Sequence, residues 1–191
     1  MRRSDINKRA NPWRRLKRRV IYENDWMTVV EDKVERPDRS LGVYSVVRVR
    51  PSVAVVVFTG EAQTCLVGQW RYPLGRYSWE IPAGAISFRE RPLAAAKREL
   101  REEAGLIART WIRLGTIDNS NSIAEDQTTI FLAGDTVQTE MKTDPREPVI
   151  SKWLPFAEAG ELVMRDEITD AVSVAGILRA QAFLARSGRL S

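Results

Sequence analysis

Histidine is absent from this 191-residue sequence. Without it there can be no Ser-His-Asp triad, no Cys-His pair, no HExxH zinc site and no imidazole base working near neutral pH. Carboxylates acting with hard, oxygen-preferring cations such as Mg2+ are the natural chemistry left, with Lys, Tyr or Ser as lesser candidates. Cysteine is nearly absent too. The single Cys65, in Thr64-Cys65-Leu66-Val67, excludes an intramolecular disulfide and a thiolate metal cluster and reads as a buried core thiol. Long apolar runs are also missing. The longest, Val53 to Phe58, falls far short of the roughly 20 residues needed to cross a bilayer. No apolar segment follows the basic N-terminus as in a secretory signal, so the expectation is a cytoplasmic protein with no membrane association.

What is present suits one compact domain able to bury a core without staples: 43% apolar and 29% charged residues. The net charge of +5 is unevenly placed. Residues 1 to 19 hold nine Lys or Arg against one acid, Asp5, while the remainder carries 21 basic and 24 acidic residues. This basic arm reads first as a solvated, mobile tail, with nucleic acid as the alternative partner.

Three segments follow: residues 1–19 as the arm, 20–50 as an antiparallel β-meander, and 51–187 as the main domain. Val20 to Tyr22, Trp26 to Val34 and Val43 to Val49 have strand composition, with Pro37-Asp38-Arg39-Ser40 as a turn. Val53 to Phe58, Thr64 to Trp70, Trp111 to Ile117 and Thr128 to Ala133 supply further strands, and Asp118 to Gln127 a polar loop. A helix is predicted from Pro92 to Ala104, stopped by Gly105, with Leu93, Ala96, Leu100 and Ala104 as its buried stripe. A short helix after Leu154-Pro155 runs through Met164, and a final helix of about 20 residues carries Ala171, Val172, Ala175, Leu178 and Ala182. The fold class is α/β (α+β), a mixed β-sheet flanked by helices.

On the first helix Glu99, Glu102 and Glu103 are spaced i, i+3, i+4, which gathers three carboxylates within an arc of about 100°. Like charges so close repel, and a divalent cation would turn that repulsion into binding. Arg98 is placed to orient these carboxylates, and Glu90 to pair with Arg98 across the helix start.

Read together, Gly84, five residues, Glu90, seven residues, Arg98-Glu99-Leu100, one residue, Glu102-Glu103, one residue, Gly105-Leu106 resemble a complete Nudix box. Chance would produce such a match about once in 10^8 starting positions. A looser resemblance covers most of the chain. Gln69-Trp70-Arg71-Tyr72-Pro73 and Trp79-Glu80-Ile81-Pro82-Ala83-Gly84 are similar to the ADP-ribose and nucleoside diphosphate sugar pyrophosphatase branch.

The resemblance implies a Nudix fold, with the mixed sheet sandwiched between helices (α/β/α) behind the N-terminal meander. It further implies a homodimer packed through that meander, and metal-dependent hydrolysis of a nucleotide sugar to a nucleoside monophosphate and a sugar 1-phosphate. Glu99 and Glu103 would hold Mg2+, or Mn2+ in its place, supported by Glu102 and the Ala83 carbonyl. Arg71 is a candidate phosphate or sugar clamp, Glu80 a base or ribose contact, and Trp26 a stacking residue. The general base stays open: residue type favours Glu125, a gapless comparison ending at Phe131-Leu132-Ala133 favours Asp126, and Glu102 is the next candidate. Thr116 to Gln127 lacks the proline that ADP-ribose specialists carry, so GDP-sugar and other ADP-sugar substrates stand beside ADP-ribose. An RNA 5'-end pyrophosphohydrolase using the basic arm, and a non-catalytic nucleotide-binding module, are the competing readings.

Overall fold

The computed structural model describes residues 10–141 and 148–189. It divides into two compact units, Met1–Val49 with Ser120–Glu125, and Arg50–Asn119 with Asp126–Ser191. Residues 1–9 of the expected basic arm lie outside the described residues.

The first unit is a meander of β1 (Arg14–Glu23), β2 (Met27–Glu35) and β3 (Leu41–Val49), with the two-residue β9 (Ala124–Glu125) running parallel to β3. At the first turn the Asn24 side-chain oxygen accepts from the amides of Trp26 and Met27, and at the second Asp38 accepts from the Ser40 amide. One expectation is corrected. The first strand was placed from Val20, but it begins at Arg14, so residues 14–19 of the basic run are strand and not tail. The reason is charge pairing across the ladder. Arg14 meets Glu35, Arg18 donates twice to Asp32, and Arg19 meets Glu31. Asp32 is buried beneath its arginine, whose guanidinium holds the carboxyl below its ordinary range despite that burial.

The second unit has two sheets. One, in the order β7-β4-β10-β8, contains β4 (Ser52–Val57), β7 (Ala83–Ala85), β8 (Leu106–Asp118) and β10 (Gln127–Gln138), with β4 and β10 parallel and the other pairs antiparallel. The other orders β11 (Ile150–Pro155), β5 (Gln63–Arg71) and β6 (Arg76–Glu80). Among the described residues three α-helices complete it: α1 (Pro92–Ala104), α2 (Phe156–Met164) and α3 (Ala171–Arg186).

The two-residue period of β4 explains the layering. Val53, Val55 and Val57 pack with Ala96, Leu100 and Ala104 of α1, while Ala54 and Val56 pack with Ile177 and Ala180 of α3 and Phe156 of α2. A strand covered on both faces needs apolar residues at every position, which is why it reads as a continuous run. This is the expected α/β/α arrangement. Strands β6, β7 and β11 were missed, being short and composed of residues without clear alternation. The final helix has 16 residues, shorter than expected. The buried face of α1 is also rotated: Leu93 is 39% exposed, and Ala95 and Glu99 are buried in its stead. Among the described residues no helix is long and apolar enough to cross a membrane.

Candidate active site

Helix α1 starts on Pro92, whose missing amide hydrogen costs nothing in a first turn, and stops on Gly105 at φ 62°, a left-handed conformation that suits glycine. These punctuation residues set which glutamates reach which neighbours. Before the helix, the Glu90 carboxylate accepts from the Ser87 amide and takes two bonds from Arg98, at 3.1 and 2.9 Å. The same guanidinium donates to Glu99 at 2.6 Å, to Glu102 at 3.1 Å and to the Ala85 carbonyl at 2.9 Å. One arginine therefore gathers three carboxylates and ties the helix to β7.

The fourth carboxylate lies outside Arg98's reach. Glu103 accepts from the Ala83 amide at 2.9 Å, and burial, only partly offset by that bond and reinforced by the nearby charge of Glu99, pushes its carboxyl up to about 8. Burial also holds Glu99 above the ordinary carboxylate range, against the pull of Arg98. Glu90, well exposed to Arg98, is held below it. A Cβ built on Gly84 would land on the Glu99 carboxylate, so the box glycine leaves the space that this side chain occupies.

The carboxylates meet the fit expected for a hard cation: oxygen donors only, two of them resisting ionisation because they are buried. Among the described residues, however, no three acidic side chains already converge as a ligand cluster. Arg98 occupies Glu99 and Glu102 while Glu103 turns to Ala83.

Arg71 and Glu80, which stand opposite Arg76 and Val67 in the β5–β6 ladder, reach along it to form a two-bond pair, the Arg71 Nε donating at 2.9 Å. Glu80 is buried; that burial raises its carboxyl, and the Arg71 guanidinium more than reverses the rise. The two residues considered separately in the sequence are one unit, and its position near Glu103 and Asp170 is expressed in the charge that both acids exert on Arg71. Asp126 accepts from the Asn119 side-chain amide at 2.8 Å, and Asn119 also donates to buried Thr128, which bonds Ser52 at 2.7 Å. In the first unit, Glu125 is paired with Arg48 at 2.7 Å, and Trp26 is 72% exposed at the β1–β2 turn.

Sequence reasoning missed Ser173. It is buried in the first turn of α3, where its hydroxyl accepts from the Ile81 amide at 3.0 Å and donates to the capping Asp170 at 2.7 Å. It thereby pins the loop just before Ala83. The Asp170-to-Ser173 spacing was a legible capping signal, but its partner was not.

A Nudix domain model matches residues 48–175, and a nucleoside diphosphate sugar hydrolase N-terminal domain model matches residues 13–47. The chain is 32% identical over 154 residues to the ADP-ribose pyrophosphatase of Mycobacterium tuberculosis (strain ATCC 25618 / H37Rv), covering 79% of this chain and 74% of that protein. It is 28% identical over 161 residues to the CMP-5'-(N-acetyl-N-hydroxy-3-aminopropyl)phosphonate hydrolase of Streptomyces rubellomurinus (strain ATCC 31215), covering 84% and 78% of the two. The crystal structure of an ADP compounds hydrolase superposes with a TM-score of 0.82 at 22% identity, over 96% of this chain and 100% of that one, a likeness of fold. With the box, the fold and these matches in agreement, the chain belongs to the Nudix family and is a Nudix hydrolase carrying a nucleoside diphosphate sugar hydrolase N-terminal domain.

Proposed function

We propose that the protein hydrolyses the pyrophosphate linkage of a nucleoside diphosphate sugar, of the ADP-ribose, ADP-sugar or GDP-sugar type, with Mg2+ and with Mn2+ as a substitute. The observation that carries this reading is the sharing of one cation by the carboxylates at α1: Arg98 serves three acids, and Glu103, in no ion pair among the described residues, is pushed up to about 8 by burial. That the mycobacterial relative is an ADP-ribose pyrophosphatase supports the substrate class.

Glu99 and Glu103 would hold the cation, with Glu102 and the Ala83 carbonyl in support. When bound, such an ion supplies charge neutralisation for the phosphates and a more acidic water. Arg98 keeps Glu90, Glu99 and Glu102 oriented, and Glu90 keeps Arg98 in place. Arg71, held by Glu80 through Nε and Nη2, is the phosphate or sugar clamp, and Glu80 positions it. Asp126 is the preferred base. Arg48 already neutralises Glu125, whereas Asp126 is held by a neutral amide that orients it without quenching its charge. Trp26, exposed at its turn, stacks on the nucleobase across the proposed homodimer interface.

A homodimer through the meander agrees with β1, on which Leu16, Val20, Ile21 and Tyr22 are 45%, 57%, 51% and 51% exposed. The RNA reading loses ground, since Arg14, Arg18 and Arg19 are spent on cross-strand acids. The deciding experiment assays nucleotide sugars, dinucleotides, coenzyme A and capped or triphosphorylated RNA with Mg2+ and with Mn2+. A nucleoside monophosphate and a sugar phosphate from one of the sugars is the expected result. Turnover confined to RNA, or none with any cation, would refute the reading.

A further inference from the structure

On the face of the sheet away from α1, β8 and α3 enclose a groove of about 590 Å³. Its walls carry Arg113, Arg179 and Arg186, all exposed at their tips, over a floor that includes half-buried Leu114 and Phe183. Among the described residues none of the three arginines is ion-paired. α3 contains no acid at all, and β8 only Asp118 at its far end.

Thr116 draws two of these cations together. Arg113 donates to its hydroxyl, and Arg179 donates to its carbonyl at 3.3 Å. Local backbone makes this possible. Leu114 is the extra residue where the β8–β10 register shifts, and Gly115 follows at φ 143°, which favours glycine. A Cβ on Gly115 would come within 2.7 Å of the Arg179 Nη1. Arg186 lies two helical turns beyond Arg179, on the same side of α3. Guanidinium groups held side by side without a carboxylate repel one another, and a bound anion removes that repulsion while accepting their paired donors.

We propose that this groove is a second binding site, for the phosphate group of a small phosphorylated molecule whose ring or apolar body lies on Leu114 and Phe183. A small molecule is favoured over nucleic acid because the arginines surround a compact hollow with an apolar floor, whereas a polynucleotide backbone calls for a long basic stripe.

The test is calorimetric titration of the full chain with AMP in EDTA, with adenosine as the uncharged control. The variants are Arg113→Ser with Arg186→Ser, Arg113→Lys with Arg186→Lys, and, as a report on α1, Glu103→Gln. The double serine variant should bind AMP at least about tenfold more weakly at unchanged Tm, the double lysine variant should fall between, and Glu103→Gln should bind like the parent. Adenosine should bind at least about tenfold more weakly than AMP. The proposal is overturned if AMP does not bind, if the serine variant binds it as well as the parent, or if only Glu103→Gln weakens it. An oligoribonucleotide that displaces AMP, and whose affinity collapses between low and moderate salt, would assign the groove to nucleic acid and overturn it equally.

Discussion

The β1–β2 ladder and the start of α1 are both crowded with charge, yet they differ in balance. In the ladder three arginines each have an acid of their own: Arg14 with Glu35, Arg18 with Asp32, Arg19 with Glu31. Around α1 a single arginine serves Glu90, Glu99 and Glu102, and Glu103 is in no ion pair among the described residues. Matched charges leave nothing for a ligand to neutralise, and the ladder is architecture. Carboxylates that share one arginine, partly buried, store repulsion that a cation relieves, and that is where chemistry is expected. The same criterion separates Glu125, matched by Arg48, from Asp126, held by an amide.

The strongest test of this comparison is the loop. Asp126→Asn is expected to lower kcat by about 10^2 to 10^4 with little change in metal dependence, and Glu125→Gln to leave most activity intact. The opposite pattern in steady-state kinetics would make the matched glutamate the base. If both variants keep more than about half the activity, Glu102 becomes the candidate. Next in size, Glu103→Gln and Glu99→Gln should each lower kcat at least about a hundredfold in a protein that still folds, because an amide is a poor ligand for a hard cation. Near-normal turnover with normal circular dichroism would remove them from the metal site.

The pH dependence of stability sharpens the contrast between matched and unmatched acids. Glu80, depressed below its ordinary 4.5 by Arg71, stabilises the fold above that pH and loses its contribution as pH falls through the folded value. Glu103, raised to about 8, keeps a proton in the folded state that the unfolded chain has released, so its contribution declines as pH rises from about 4.5 to 8. Urea unfolding in EDTA should therefore give Glu80→Gln a shallower loss of stability below pH 4.5, and Glu103→Gln a flatter decline up to pH 8. Identical slopes in parent and variants would remove the contrast. The smallest effect is expected at the ladder's exposed edge, where Arg19→Ser should shift Tm by less than about 2 °C and leave kcat unchanged, as calorimetry and the same assay would show.

The sequence alone determined the box, the limits of α1 and the continuous core strands. Each rests on local physics: Pro92 and Gly105 punctuate a helix through backbone conformation, and the apolar run of β4 marks a strand covered on both faces. Zero histidines likewise directed the chemistry first to carboxylates. Only the tertiary structure decided which charges are matched. Arg14, Arg18 and Arg19 read as a tail because their acids lie 12 to 21 residues away, and Arg71 and Glu80 read as separate contacts because a hairpin joins them. Ser173 reaches Ile81 across 92 residues, and Gly115 makes room for an arginine of α3. Composition counts charges and periodicity orders them along one element, but whether a charge is neutralised depends on side chains that folding brings from elsewhere in the chain.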